Sequence, residues 1–184
     1  MMLIRRFSFP LLMLFFTACS NSTEEKNHFP INAFLEEELA QIDSFPIAII
    51  HTRETNEKTD TSVVDKKDFR ALAMQLVGID FQEKKHKNNY QELVLEDAQL
   101  GNISIGYTTE DANLPVRKIE LNIDAKTNKI KSIFAERKER EGEKMLIRKI
   151  LWTSATELMV NTSYYNEGQL LNNLTERYNW AIGN

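Results

Sequence analysis

The sequence predicts an α+β domain: an antiparallel β-sheet meander covered on one face by two helices. Two amphipathic segments, one after Asn32 and one after Asp65, repeat apolar residues at helical spacing. From Tyr90 onward the chain changes to short runs that alternate apolar with polar residues between turn residues. Links this short suit neighbouring antiparallel strands. The apolar side of such a sheet must be covered, and the two helices are the available cover.

A leader precedes the domain. Met1 to Arg6 supplies two positive charges, and Phe7 to Phe16 is an almost unbroken apolar run ending at the small residues Thr17 and Ala18. A bilayer-spanning helix needs about 20 apolar residues, whereas this run contains Pro10 and stops after roughly half that length. Residues 1–18 therefore read as a secretion signal and not as an anchor helix. The stretch Phe16-Thr17-Ala18-Cys19 resembles a lipobox, in which small residues precede a cysteine that is lipidated before the leader is cut. Phe16 stands where that pattern usually has leucine. Cys19 is the only cysteine, which suits lipidation and excludes a disulfide framework. The expected product is a lipoprotein tethered to the outer membrane by fatty acids on Cys19, facing either the periplasm or the cell exterior. Each buried methylene of such a chain contributes about 0.8 kcal/mol, so several chains together hold permanently.

The full chain has 23 Lys+Arg and 27 Asp+Glu. Loss of the leader removes Arg5 and Arg6 and no acids, which shifts the net charge from −4 to about −6. A mildly acidic surface argues against a nucleic-acid partner, which requires a concentrated basic face. The mature length of about 166 residues fits one domain with a real core.

Residues 19–28 form a polar tether with nothing apolar to bury, including Ser22, Thr23, Glu24, Glu25 and Lys26. Glu24-Glu25 reads either as plain solvated linker or as a loose version of the acidic signals that send some lipoproteins to the cell exterior. The folded domain, 29–184, begins at Phe29-Pro30. Asn32 is the expected N-cap of a helix over 33–42, with Phe34, Leu35, Leu39 and Ile42 on one side and Glu36, Glu37 and Glu38 solvated. Consecutive helical positions point in different directions, so these three acids do not suggest a metal site.

Runs at 46–52 and 59–64 predict a hairpin. Asp65 then caps a second helix over 66–77, which carries Phe69, Leu72, Ala73 and Leu76 and is stopped by Gly78. A charged loop with His86 fills 83–89. Strands follow over 90–96 and 102–108. The clearest hairpin is 116–124 with 130–138, where Ile119, Leu121 and Ile123 alternate with Lys118, Glu120 and Asn122. A further pair spans 144–152 and 156–165. The stretch 168–174 reads as a turn or short helix, and the last strand, 177–182, places Tyr178, Trp180 and Ile182 on one face.

Three segments, YTTEDANLPVRKIEL from Tyr107, ILWTSATELMV from Ile150 and the ending RYNWAIG, carry a family resemblance. With Leu114, Pro115, Val116, Arg117, Lys118 and Ile119 in one strand, and Tyr178, Trp180 and Gly183 near the end, the chain resembles an uncharacterised family of Bacteroidota cell-envelope lipoproteins. The resemblance implies a lipid-anchored envelope protein without an assigned activity. No catalytic residue carries over from it.

The residues themselves propose little chemistry. His28, His51 and His86 fall in a tether, a strand and a loop, without the pairing of a zinc site. There is no nucleophile elbow and no phosphate-cradling glycine loop, so the expectation is a non-enzyme with no cofactor and no metal. Glu92, Glu96 and Asp97 are carboxylates, but acid–base pairs are defined by distance across a cleft. The charged run from Arg137 to Lys144 is a solvated hairpin end or a surface for a charged partner or lipid head groups. Trp152, Tyr164, Tyr165, Tyr178 and Trp180 are core aromatics; alternatively Trp152, Tyr164, Tyr178 and Trp180 line a concave face that grips an apolar or sugar ligand. The leading expectation is a binding or interaction module anchored to the membrane, whose partner is an envelope protein or polymer. The alternative is a carrier that holds an acyl chain or lipid between sheet and helices, and a hydrolase comes last.

Overall fold

The computed structural model describes residues 28–55 and 58–180, and among them are two helices and nine strands in an α+β arrangement. Helix α1 spans Ile31–Ser44 and buries Ile31, Leu35, Leu39 and Ile42, which recur at three and four residues. It starts two residues earlier than expected. Pro30 takes the cap position without a side-chain hydrogen bond, and Asn32 lies inside the first turn with its Oδ1 buried and without a partner. Proline fits here because the first helical N–H groups have no intrahelical acceptor to lose.

Strands β1 (Ile49–Glu54) and β2 (Thr59–Val64) form the expected hairpin. Helix α2 (Lys66–Val77) is capped by Asp65, whose carboxylate accepts from the Lys67 N–H, and it buries Phe69, Ala73, Leu76 and Val77. Then come β3 (Gln91–Asp97), β4 (Asn102–Thr108), β5 (Val116–Asp124), β6 (Ile130–Glu141), β7 (Lys144–Thr153), β8 (Glu157–Asn166) and β9 (Gln169–Asn179). The segment read as a turn or short helix, 168–174, is instead the first half of β9. A two-residue loop, Glu167-Gly168, turns β8 into β9 with both φ angles positive, 48° and 82°. That is the mirror-image turn whose twist matches a hairpin.

The strands form one antiparallel sheet in the order β2-β1-β9-β8-β7-β6-β5-β4-β3. One register row across it reads Leu121, Ile133, Trp152, Leu158, Tyr178 and His51. All but His51 are buried, so in β5 to β9 these positions share one buried face. Phe69 from α2 enters this core, with ring centroids 5.1 Å from Trp180, 5.7 Å from Tyr178 and 6.2 Å from Trp152. Glu38 of α1 reaches the β7–β8 turn, accepting from Ser154 Oγ at 2.7 Å and the Ala155 N–H at 3.2 Å. Glu36 pairs with Arg70 of α2. Two of the three acids expected to be merely solvated therefore hold α1 in place.

His28 was expected in the tether, yet it is buried against Phe81 and Tyr107, with Nδ1 3.1 Å from Glu92. The Phe29 N–H donates to Tyr107 Oη. The leader, Cys19, Glu24-Glu25, Ile182 and Gly183 lie outside the described residues.

Candidate functional site

Where the buried face runs past the end of α2 its side chains turn polar. Strand pairing sets Arg137 of β6 beside Arg148 of β7 and Arg148 beside Thr162 of β8, while Glu176 of β9 pairs with Val160. Both guanidiniums meet Glu139: Arg137 donates through Nε at 3.0 Å, and Arg148 through Nη1 to the other oxygen. Arg137 Nη1 also approaches the Leu76 carbonyl at 3.4 Å. That carbonyl ends α2, where the helix dipole favours a cation. Burial draws Arg137 below the usual guanidinium range, an effect that nearby Tyr90 opposes. Between these groups, Leu72, Gln75, Glu176 and Tyr178 lies a space of about 170 Å³.

The same strip ends at His51 on β1. Its ring lies flat on Tyr178, 4.4 Å away and tilted by 3°, and its Nε2 is 3.2 Å from Glu176 Oε1 without the direction of a hydrogen bond. The contact becomes an ion pair when the imidazole is protonated. Burial pushes the Tyr178 phenol up to about 12; Glu176 adds to the shift and Arg53 opposes it. These groups can position charge. No nucleophile stands among them.

Glu139 also forms one wall of a larger groove on the rim of the sheet, about 590 Å³ in volume, with Ala112, Pro115, Arg117, Lys138, Arg140 and Met145. The β5–β6 register shifts between Val116 and Lys118, so Arg117 drops out of the ladder and is re-aimed at this rim. Its Nη1 donates to the Asp111 carbonyl. Lys138 and Arg140 stand on the last turn-ward residues of β6 and are exposed. Among the described residues neither pairs with a carboxylate. Because Arg137 and Arg148 already neutralise Glu139, the groove presents three cations beside the apolar Ala112, Pro115 and Met145.

Of the aromatic residues proposed as ligand contacts, Trp152, Tyr178 and Trp180 come together around Phe69 and are buried. Tyr178 alone among these three borders the 170 Å³ space. Tyr164 lies apart, half-buried toward the far end of β8 and opposite Leu146 and Asn172. Burial likewise pushes the Tyr90 and Tyr107 phenols up to about 12. His86 is buried too, with Nδ1 2.6 Å from the Asp80 carbonyl. Among the described residues no group of three or more His, Cys, Asp or Glu side chains is placed to hold a metal ion. Nor is any helix among them long and apolar enough to cross a membrane.

Sequence reading reached two of the groove's cations through the charged run from Arg137 to Lys144. Arg117 entered only through the family resemblance; the signal that could have placed it is the three-residue step from Val116 to Ile119, which marks the bulge in an otherwise two-residue alternation. No protein-family model, curated protein or solved structure matches the chain.

Proposed function

We propose that this chain is a lipid-anchored binding module of the outer membrane that holds an anionic segment of an envelope partner in the groove at the β5–β6 rim. The anchor reading rests on the leader and on Cys19 as the sole cysteine, and the likeness to Bacteroidota envelope lipoproteins is part of the same reading. The observation that carries the binding reading is charge placement. On a chain of net charge −4, Arg117, Lys138 and Arg140 gather at one concave site whose single carboxylate is already paired. Carboxylate or phosphate groups fit guanidinium forks there, and the apolar lining receives the atoms between them.

We read β3 to β9 as one meander whose buried face is covered by both helices. The strand order and the Phe69 and Glu38 contacts support this. A carrier of acyl chains would need a cavity of about 300–1,000 Å³ in that interface. The space beside α2 measures about 170 Å³ and the rings of Phe69, Trp152 and Trp180 fill the neighbouring core, which favours the binding module. The same reading makes the protein a non-enzyme.

Titration of the full protein with polyglutamate and with polyphosphate tests the groove. Saturable binding that weakens with salt is expected, together with at least a roughly tenfold loss in a Lys138→Glu/Arg140→Glu variant, about 1.4 kcal/mol. Equal binding by variant and wild type would refute the assignment.

A further inference from the structure

The described fold begins at His28, and His28 is fastened to β3. Its ring contacts Tyr107 of β4 and its Nδ1 meets Glu92 of β3, while the Phe29 N–H bonds Tyr107 Oη. His28 lies only nine positions after Cys19. A chain of that length spans at most about 30 Å. If Cys19 carries the anchor, the lipid surface lies within that reach of the start of β3.

Strand β3 ends the sheet and is exposed along its whole length. Three consecutive apolar residues occupy its middle: Leu93 is 60% exposed, Val94 52% and Leu95 58%, and Leu100 in the following turn is 71% exposed. Opposite Leu93 on β4 stands Gly106, so its cross-strand partner has no side chain to shield it. An apolar edge of this kind is a pairing and aggregation hazard unless something covers it. The strand is about 20 Å long, so the whole patch falls within the span of that link. The opposite edge, β2, lies eight strand spacings away, roughly 38 Å along the sheet.

We infer that the β3 edge is a membrane-docking surface, in which Leu93, Leu95 and Leu100 enter the headgroup–acyl boundary of the bilayer to which Cys19 is anchored. The inference rests on the lipid-anchor reading above. It goes beyond that reading by fixing which edge of the domain faces the lipid. The surroundings match a zwitterionic lipid. Glu96 and Asp97 flank the patch on one side. On the other side Lys126 and Lys129 are exposed in the β5–β6 turn, which the Ala125 N–H ties to the Gly101 carbonyl beside Leu100. Ammonium and phosphate groups of the same headgroup thus find partners of opposite sign. Two copies of β3 pairing edge to edge about Val94 would set Glu92 against Glu96 of the other copy, a like-charge pairing that disfavours a dimer as the cover.

The test uses the full chain, processed in a bacterial host and reconstituted in phosphatidylcholine vesicles. Leu95→Cys and Leu100→Cys variants, and Val63→Cys on β2 as a control, receive a polarity-sensitive thiol fluorophore. Acylated Cys19 has no thiol, so wild type should take up no label. Blue-shifted emission at positions 95 and 100, with protection from aqueous iodide and quenching by a lipid-borne nitroxide, is expected, with position 63 water-exposed. Water-like emission at all three positions on vesicle-bound protein overturns the docking surface and leaves the anchor standing. Labelling of wild type at Cys19, with protein that does not stay on the vesicles, overturns the anchor and the docking surface together.

Discussion

Gly78 occupies the place where a helix usually ends on a glycine in the left-handed region, but its φ is −63°. Any residue adopts that conformation, so backbone freedom does not explain it. Space does: a Cβ there would sit 2.4 Å from the Met74 carbonyl oxygen and 3.0 Å from Asn32 Oδ1 of α1. At an open site with such a φ, Gly→Ala gains about 0.4–1 kcal/mol by restricting the unfolded chain. Here the collision decides the sign, and Gly78→Ala is expected to lose about 1–3 kcal/mol. Urea denaturation measures this directly, and an increase in midpoint would show that the Met74 carbonyl and Asn32 give way without penalty. The stop at Gly78 was legible from composition. Its cause was not, because it lies in how closely the Met74 carbonyl and, from α1, Asn32 approach in three dimensions.

Among the elements, the β7–β8 hairpin shows how a helix sets a turn. Ala155 takes a φ of 61°, a left-handed conformation that costs a residue with a Cβ roughly 1–2 kcal/mol. Glu38 of α1 compensates by accepting from Ser154 and the Ala155 N–H. Glu38→Ala should therefore destabilise by about 1–2 kcal/mol, whereas exposed Glu37→Ala should stay within about 0.5 kcal/mol. Thermal denaturation of the two variants side by side checks the contrast. Periodicity made α2 and the hairpin of β5 and β6 legible, since α2 buries residues three and four apart and Ile119, Leu121, Ile133 and Ala135 are buried at every second position. It failed over the first half of β9, where Leu170, Leu171 and Asn172 are all exposed and carry no alternation. The signal there was Glu167-Gly168, a short hairpin turn read as the opening of a different element.

For the whole molecule, three buried phenols lie far apart in sequence, with Tyr90 ahead of β3, Tyr107 in β4 and Tyr178 in β9, and burial pushes each up to about 12. Their ordinary value is about 10. Between these limits the unfolded chain gives up protons that the folded chain keeps, so stability is intact below about pH 10 and is lost as the pH rises through about 12. Urea midpoints should hold steady to about pH 9 and drop steeply near pH 11, with phenolate absorbance rising alongside unfolding; a flat midpoint across that range would contradict the burial described. The sequence by itself determined the α+β class, the two helices, most strand positions and the expectation of an anchor at Cys19, because local periodicity and a single cysteine after an apolar leader are written in adjacent residues. Only the tertiary structure decided that Trp152, Tyr178 and Trp180 close around Phe69, that Arg117, Lys138 and Arg140 converge on one groove, and that the described chain starts against an exposed apolar edge. Those arrangements depend on strand order and register, which bring together residues up to about a hundred positions apart and leave no trace in their local spacing.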